Sequence, residues 1–136
     1  MAKLIVTVVT PGRQVVRDEV DQVTAPSVMG EVGILPEHRP LLADLQAGVV
    51  TLRRGDKVDI YATSGGFIEV GKNEVTLLLE TAERSDEIDI ERAQNALKDA
   101  EKKLKNLDFG TPDFVEEQAR YQRAQVRLQI TQSRLN

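Results

Sequence analysis

The chain has 136 residues, of which 40% are hydrophobic, 29% charged and 4% aromatic. This composition is typical of a globular protein, and the length fits one ordinary domain or two small ones. The absence of cysteine excludes disulfides, thiolate catalysis and cysteine-ligated zinc. A net charge of −4 argues against a nucleic-acid-binding function, because such domains usually carry a basic surface.

The hydrophobic residues are spread over short runs. The longest, LIVTVV and VTLLL, fall far below the ~20 residues that a membrane helix needs. No signal peptide or transit segment is recognised at the start of the chain. We therefore expect a protein without a membrane span of its own, in a reducing compartment such as the cytoplasm.

From Lys3 to about Ala82, short runs rich in β-branched residues alternate with turn residues. The runs are separated by dipeptides of turn-forming character, at 11–12, 29–30, 55–56, 65–66 and 72–73. Turn signals at intervals of about 8–12 residues indicate a sandwich or barrel of antiparallel strands. Residues 1–85 are therefore predicted to form an antiparallel β-sandwich domain.

After Ser85 the sequence is dominated by Ala, Glu, Lys, Leu, Gln and Arg, which favour helix. One break, NLDFGTPD, interrupts this pattern. There Gly110 can close the first helix in a left-handed turn, Thr111 can cap the second, and Pro112 is tolerated in a first turn. Residues 86–136 are predicted to form an antiparallel two-helix hairpin, which makes the fold class α+β.

The two predicted helices differ in their apolar faces. The first has one apolar stripe, made of alanine, leucine and isoleucine. The second has two nearly opposite stripes, one with Phe114, Tyr121, Leu128 and Leu135 and the other with Val115, Ala119, Val126 and Ile130. In one interpretation the second helix lies between the first helix and the sheet. In the other, one stripe contacts this chain and the second contacts a partner.

An arginine flank lies between the stripes of the second helix and comprises Arg120, Arg123, Arg127 and Arg134. Basic residues complement the helix dipole only in the last turn, so the dipole does not account for arginines along the whole flank. Because like charges repel, we expect an acidic surface or a phosphate group to stabilise this flank.

No catalytic site is recognised. With one histidine, no cysteine and no GxSxG motif, the chain offers no nucleophile with its base. The segment GFIEVGKN matches GxxxxGK, but Asn73 replaces the Ser or Thr that binds magnesium in a P-loop, and the intervening residues favour a strand. We therefore expect a protein without catalytic residues or a metal site.

Four segments carry a resemblance to a known family: GEVGILPEHRPLL at 30–42, ADLQAGVV at 43–50, SGGFIEV at 64–70 and IDIERA at 88–93. Together, and over essentially the whole chain, they resemble the epsilon subunit of bacterial F-type ATP synthase. The first segment is the most specific. The resemblance implies a non-catalytic central-stalk rotor subunit, held at the cytoplasmic face of the cell membrane only through the complex.

The resemblance also implies partners. The sandwich would bind the gamma subunit and the membrane ring of c subunits, with Glu31 and His38 in a loop that faces the ring. The hairpin would leave the sandwich, extend along gamma and inhibit ATP hydrolysis. In that extended state the arginine flank would meet acidic residues of the alpha and beta catalytic subunits.

Some members of this family hold a regulatory ATP between the folded helices, which implies six residues here: Ile88, Asp89, Arg92, Ala93, Arg123 and Arg127. Asp99 adds negative charge facing that site. Asp89 and Arg92 also have simpler interpretations, as a helix cap and as the partner of a nearby acid. No other cofactor is expected.

The alternative interpretation is a free-standing β-sandwich that binds a small ligand and uses the helices as a lid. It predicts a monomer with an apolar pocket. The rotor interpretation instead predicts that the chain co-purifies with gamma.

Overall fold

The computed structural model describes the backbone of residues 3–135 and the side chains of residues 3–131. Within that range the strands are β1 (Leu4–Thr10), β2 (Arg13–Val20), β3 (Gln22–Ser27), β4 (Gly30–Ile34), β5 (Leu41–Leu45), β6 (Gly48–Arg54), β7 (Lys57–Thr63), β8 (Gly66–Val70), β9 (Glu74–Leu79) and β10 (Glu83–Arg84). A 3₁₀ turn (Ser85–Glu87) and two helices follow, α1 (Ile90–Leu104) and α2 (Pro112–Leu135). The predicted α+β class is confirmed.

The strands form a sheet in the order β10-β7-β6-β3-β5-β8-β9-β1-β2, with β4 paired to β3. Within the described residues the pairs are antiparallel except β1 with β9, which run in parallel. β3 and β5 pair only through Ser27 and Leu45. This narrow junction divides the sheet into two halves whose inner faces share one core, as in a sandwich.

The sandwich core follows the alternation of the strands. In β1, Leu4, Val6 and Val8 are buried, whereas Ile5 and Thr7 are partly exposed. Large aliphatic residues from both halves complete the core, among them Val23, Val50, Leu52, Ile68, Val75 and Leu77. Each contributes about 1.5–3 kcal/mol of burial energy, so the sandwich has a core of its own.

The SGGFIEV segment follows the backbone demands of this sheet. Gly66 has a φ of +148°, and a Cβ added there would lie 2.0 Å from the carbonyl oxygen of Leu78. Only glycine fits so close to the neighbouring strand. Residues 67–70 lie in β8, so the GxxxxGK match is a strand and not a phosphate-binding loop.

The hairpin is capped largely as expected. The Asp89 Oδ1 accepts a hydrogen bond from the backbone N–H of Arg92 at 3.0 Å, and the Thr111 Oγ1 accepts one from Phe114 at 3.3 Å. The expectation for Gly110 was wrong, because α1 already ends at Leu104. With a φ of +82°, Gly110 instead brings the chain to the start of α2.

α2 lies between α1 and the sheet, where it contacts β6 and β7. Its C-terminal half packs through a docking cluster, which we define as the buried Ala62, Ile88, Ala93 and Ile130 with Val126 and Leu128 beside them. Leu128 of one stripe and Val126 and Ile130 of the other thus contact this chain, as in the first interpretation of the helix. The side chain of Leu135 lies outside the described residues. None of the helices in the described part of the chain is long and apolar enough to cross a membrane.

Candidate functional site

A groove of about 510 Å³ lies where α1, α2 and the last strand of the sandwich meet. Its lining includes all six residues that were associated with a regulatory nucleotide: Ile88, Asp89, Arg92, Ala93, Arg123 and Arg127. Arg120 of the arginine flank also lines it, together with Glu83 and Glu87. The side chain of Arg134 lies outside the described residues. We call this feature the arginine groove.

The IDIERA segment shapes one wall of the arginine groove and also holds the hairpin in place. Asp89 acts as the helix cap, as its simpler interpretation predicted. Ile88 and Ala93 are buried in the docking cluster. Ile88, Asp89 and Ala93 therefore have a structural role as well. Arg92, the remaining candidate of this segment, is exposed at the edge of the groove.

Arg127 joins the hairpin to the sandwich. Its Nε donates a hydrogen bond to the Glu83 Oε1 in β10 at 2.5 Å. Both side chains keep about a third of their surface exposed, so solvent screens the pair. The ion pair positions α2 over the sheet and neutralises one arginine of the flank.

Arg120 joins the two helices. Its Nη1 donates to the Asp99 Oδ2 at 2.8 Å and lies 3.5 Å from the Glu117 Oε2. The hydrogen bonds from Arg120 and Lys103 hold the pKa of Asp99 below its usual value. Repulsion along the arginine flank is therefore offset within the chain at Arg120 and Arg127, which the sequence argument did not anticipate.

Arg92 and Arg123 differ from their neighbours. Among the residues whose side chains are described, neither has a carboxylate within ion-pair distance, although both line the arginine groove. The expected pairing of Arg92 with a nearby acid was wrong. Two unpaired guanidinium groups facing one groove make it attractive to an anionic partner.

The predicted ring-facing loop is partly a strand, because Glu31 lies in β4 opposite Pro26 of β3. His38 lies in the connection to β5, next to Glu37, whose backbone N–H donates to the Asn73 Oδ1. Glu31 is therefore near the β3–β4 turn and His38 near the β8–β9 turn. These turns adjoin opposite ends of β5, about 13 Å apart. The structure does not bring the two residues together.

The β3–β4 turn beside Glu31 exposes apolar side chains. Met29 is 93% exposed and Val28 is 55% exposed. The turn itself is held by the Ser27 hydroxyl, which donates to the Gly30 carbonyl oxygen and accepts from the Met29 N–H. A fixed turn that presents apolar side chains to solvent is suited to contact with a partner.

Sequence reasoning missed the role of Glu83. This residue lies 44 positions before Arg127, in a two-residue strand, and no local pattern links the two. Glu117 could have been recognised, because its spacing of three residues from Arg120 places both on one helix face.

Comparison with known proteins agrees with this architecture. The family described as ATP synthase, Delta/Epsilon chain, beta-sandwich domain matches residues 3–85, and its long alpha-helix domain matches residues 86–132. ATP synthase epsilon chains are similar over nearly full length. That of Halalkalibacterium halodurans is 45% identical over 96% of this chain and 98% of the relative. That of Moorella thermoacetica is 45% identical over 94% of this chain and 96% of the relative.

Solved structures show the same fold. A chain of the Euglena gracilis mitochondrial ATP synthase, in an OSCP/F1/c-ring structure, matches with a TM-score of 0.82 and 24% identity over 100% of this chain and 83% of that chain. A central stalk and c-ring structure of the Tetrahymena thermophila mitochondrial ATP synthase contains a chain that matches with a TM-score of 0.62 and 15% identity. The match covers 95% of this chain and 96% of that chain. By its sequence matches along both the sandwich and the hairpin, the chain belongs to the epsilon-chain family of ATP synthase.

Proposed function

We propose that this chain is a non-catalytic rotor subunit at the cytoplasmic face of the membrane, where it joins gamma to the c-subunit ring and regulates ATP hydrolysis. Its family membership supports a place in the complex. The regulatory role is carried by one structural observation: the hairpin is docked on the sandwich through one cluster that is small beside the sandwich core and through a partly exposed ion pair.

The docking contacts are suited to release. The docking cluster is small beside the sandwich core, and two of its buried members are alanines, whose burial contributes little. The ion pair between Arg127 and Glu83 is partly exposed and therefore weak. Opening at these contacts would cost far less free energy than unfolding the sandwich, which is what a movable regulatory element needs.

The arginine flank is the part of the hairpin that we assign to inhibition. In the extended state, Arg123 and Arg127 would meet acidic surfaces of the alpha and beta subunits and hold the rotor against them. Guanidinium groups suit this task because they form two hydrogen bonds with one carboxylate. A second candidate ligand for the same groups is the phosphate chain of ATP, since the six nucleotide candidates line one groove in the folded state.

Contact with the c ring is assigned to the β3–β4 turn, where Glu31 lies beside the exposed Met29. His38 is a separate point of contact, because it lies near another turn. Glu31→Ala and His38→Ala should each leave the melting temperature of the subunit nearly unchanged, since both side chains lie outside the core. Each should reduce proton pumping per ATP hydrolysed in reassembled membranes, and unchanged pumping would remove that residue from the interface.

The proposal is tested by affinity purification of the tagged full chain from solubilised membranes of its own cells. We expect gamma and the c subunit to co-purify in a fixed ratio with the chain. A sandwich that binds a small ligand, the alternative interpretation, would be recovered as a monomer. Recovery of the chain without gamma would contradict the proposed function.

A further inference from the structure

A second groove, of about 590 Å³, lies on the side of α2 away from the arginine groove. Its lining includes Gln46 from the connection between β5 and β6, and Gln122, Gln125 and Gln129 from α2. At about 3.6 residues per turn, the spacing of three and then four residues places the helical glutamines on one face, nearly opposite the arginine flank. We call this feature the glutamine groove.

The glutamine groove differs from the arginine groove in its chemistry. Among the residues that the structure describes, no ionisable side chain lines it, and the rest of its lining is apolar: Ala47, Leu97, Val126 and Leu128. The four glutamines are exposed, whereas the four apolar residues are half-buried. The carboxamides therefore stand at the rim of the groove, above an apolar floor.

The carboxamides at this rim are available for a ligand. None of the four forms a hydrogen bond with another residue in the described part of the chain. Each carboxamide has an acceptor oxygen beside an NH₂ donor. A peptide unit presents the complementary pair, one N–H donor and one C=O acceptor. An uncharged polypeptide backbone therefore fits the hydrogen-bonding groups of the glutamine groove.

The wall that the sandwich contributes is fixed before any ligand arrives. The backbone N–H of Gln46 donates to the carbonyl oxygen of Pro26 at 2.9 Å. Gly48 packs so closely on the same proline that an added Cβ would lie 2.7 Å from its side chain. Because the backbone is held on both sides of Ala47, little ordering of this wall remains to be done when a ligand binds.

We propose that the glutamine groove binds an extended, uncharged segment of a partner protein and recognises it through the peptide backbone. From Gln122 to Gln129 the helix rises by about 10 Å, at about 1.5 Å per residue. This length accommodates about three extended residues, which rise by about 3.3 Å each. Every second side chain of such a segment would point to the floor at Leu97 and Val126, where no lining group would pair with a charge.

This inference goes beyond the proposed rotor function, because it concerns another surface and a partner defined only by its chemistry. Uncharged linkers that contain alanine and serine have the required properties. Their backbone amides supply the hydrogen-bonding groups, and their small side chains allow close approach to the floor.

The test is a titration of the isolated full chain with defined peptides, followed through backbone amide shifts in NMR. The probes contain alternating alanine and serine, increase in length from a single residue, and are blocked at both ends. A second set carries N-methyl groups on the backbone nitrogens, which removes the donors and keeps the side chains. Maltotetraose is titrated separately as a carbohydrate, the other class of uncharged hydrogen-bonding ligand.

Three variants locate the binding site. Gln122→Ala with Gln125→Ala removes two carboxamides from the helical side of the groove, and Gln46→Ala removes the carboxamide on the sandwich. The matched control is Gln94→Ala with Gln118→Ala, since both glutamines are exposed on the hairpin and neither is among the described residues that line the groove. All five side chains are exposed, so each variant should fold as the unaltered chain does.

We expect shifts around the glutamine groove and an affinity that rises with probe length and levels off at about three to four residues. Loss of one hydrogen bond should weaken binding about fivefold. Gln46→Ala should show about that effect, whereas the Gln122 and Gln125 double variant and the N-methylated probes should bind at least about tenfold more weakly. The control should bind as the unaltered chain does.

The proposal would be overturned if N-methylated and unmodified probes bound equally, or if the double variant bound as tightly as the control. It would also be overturned if only maltotetraose shifted the groove residues, or if no peptide probe did. The measurement uses the isolated subunit, so none of these outcomes changes the test of the rotor function by co-purification with gamma.

Discussion

The sandwich and the hairpin are stabilised in different ways. The sandwich encloses a continuous core of large aliphatic residues contributed by both halves of its sheet. The hairpin packs on it through the docking cluster, an alanine-rich contact between α1 and α2, and ion pairs that remain partly exposed. Extensive aliphatic burial gives the sandwich a fixed shape, whereas a smaller apolar cluster and screened charges leave the hairpin only lightly held.

This difference in stabilisation fits different roles for the sandwich and the hairpin. The proposed rotor function would need one part that keeps its shape while it transmits torque and another that changes position. The sandwich meets the first need because its opening requires the loss of a whole core. The hairpin meets the second because its secondary structure is capped locally at Asp89 and Thr111, so it does not depend entirely on docking.

The largest expected effect lies in the sandwich core. Leu77 is 0% exposed, and Leu77→Ala should lower the free energy of unfolding by about 2–5 kcal/mol through lost burial and a residual cavity. Leu78, the next residue on the same strand, faces outward at 46% exposure. Leu78→Ala should change the stability by less than about 0.5 kcal/mol. Urea unfolding followed by circular dichroism checks both, and equal effects would contradict the assignment of the core.

The next effect separates docking from folding. Ile130 is buried in the docking cluster, so Ile130→Ala should shift the hairpin toward the open state by about 2 kcal/mol, or roughly thirtyfold. The unfolding of the sandwich should not change. Val115→Ala is the control on the same helix, because Val115 is 56% exposed. The distance between spin labels on β7 and α2 reports opening, and an Ile130 variant that opens no more than the control would show that this cluster does not hold the hairpin.

A smaller effect is expected from the unpaired arginine. Arg123→Ala leaves both ion pairs of the folded hairpin intact, so it acts mainly on the extended state. Loss of one charge-assisted hydrogen bond, about 1.4 kcal/mol, should weaken inhibition of ATP hydrolysis about tenfold. Lys102→Ala with Lys105→Ala serves as a control, since both lysines are exposed on the hairpin away from the groove. Full inhibition by the Arg123 variant in the reassembled enzyme would count against the arginine flank.

The smallest effect is a dependence on pH that distinguishes the two regions. Asp21 has its pKa lowered by hydrogen bonds from Lys3 and the Gly55 N–H, and Asp99 has its pKa lowered by Arg120 and Lys103. A carboxyl whose folded pKa lies below the unfolded value stabilises the fold above that value, near 3.8, and loses this contribution as the pH falls through the folded pKa.

Asp21→Asn should therefore flatten the acid end of the sandwich unfolding curve, and Asp99→Asn should flatten only the acid end of hairpin closure. Thermal unfolding and label distances between pH 7 and about 3 measure the two curves. If Asp99→Asn altered sandwich unfolding instead, the two regions would be coupled more strongly than this comparison allows.

Local features of the fold could be predicted from the sequence because neighbouring residues determine them. The alternation in β1, the glycines at the start of β8 and the Thr111-Pro112 start of α2 all follow from backbone geometry. Contacts between distant residues could not be predicted. The parallel pairing of β1 with β9, the separation of Glu31 from His38 and the pairing of Arg127 with Glu83 depend on how the strands are ordered, which no local pattern encodes.

The candidate site also has features that the sequence could predict and features that it could not. The resemblance in IDIERA identified residues that indeed line one groove with Arg123 and Arg127. It did not reveal which arginines already have partners, because Glu83 comes from the sandwich and Asp99 pairs across the hairpin. The charge balance of the groove therefore became visible only once the helices were packed.

We propose that the sandwich is sufficient for binding to the enzyme and that the lightly held hairpin regulates ATP hydrolysis. The most direct measurement compares ATP hydrolysis by the enzyme reassembled with the full chain and with a chain truncated after Ser85. We expect the truncated chain to remain folded, to bind gamma, and to give the higher rate because the inhibitory element is gone. Equal rates with gamma bound, or loss of gamma binding by the truncated chain, would contradict the account.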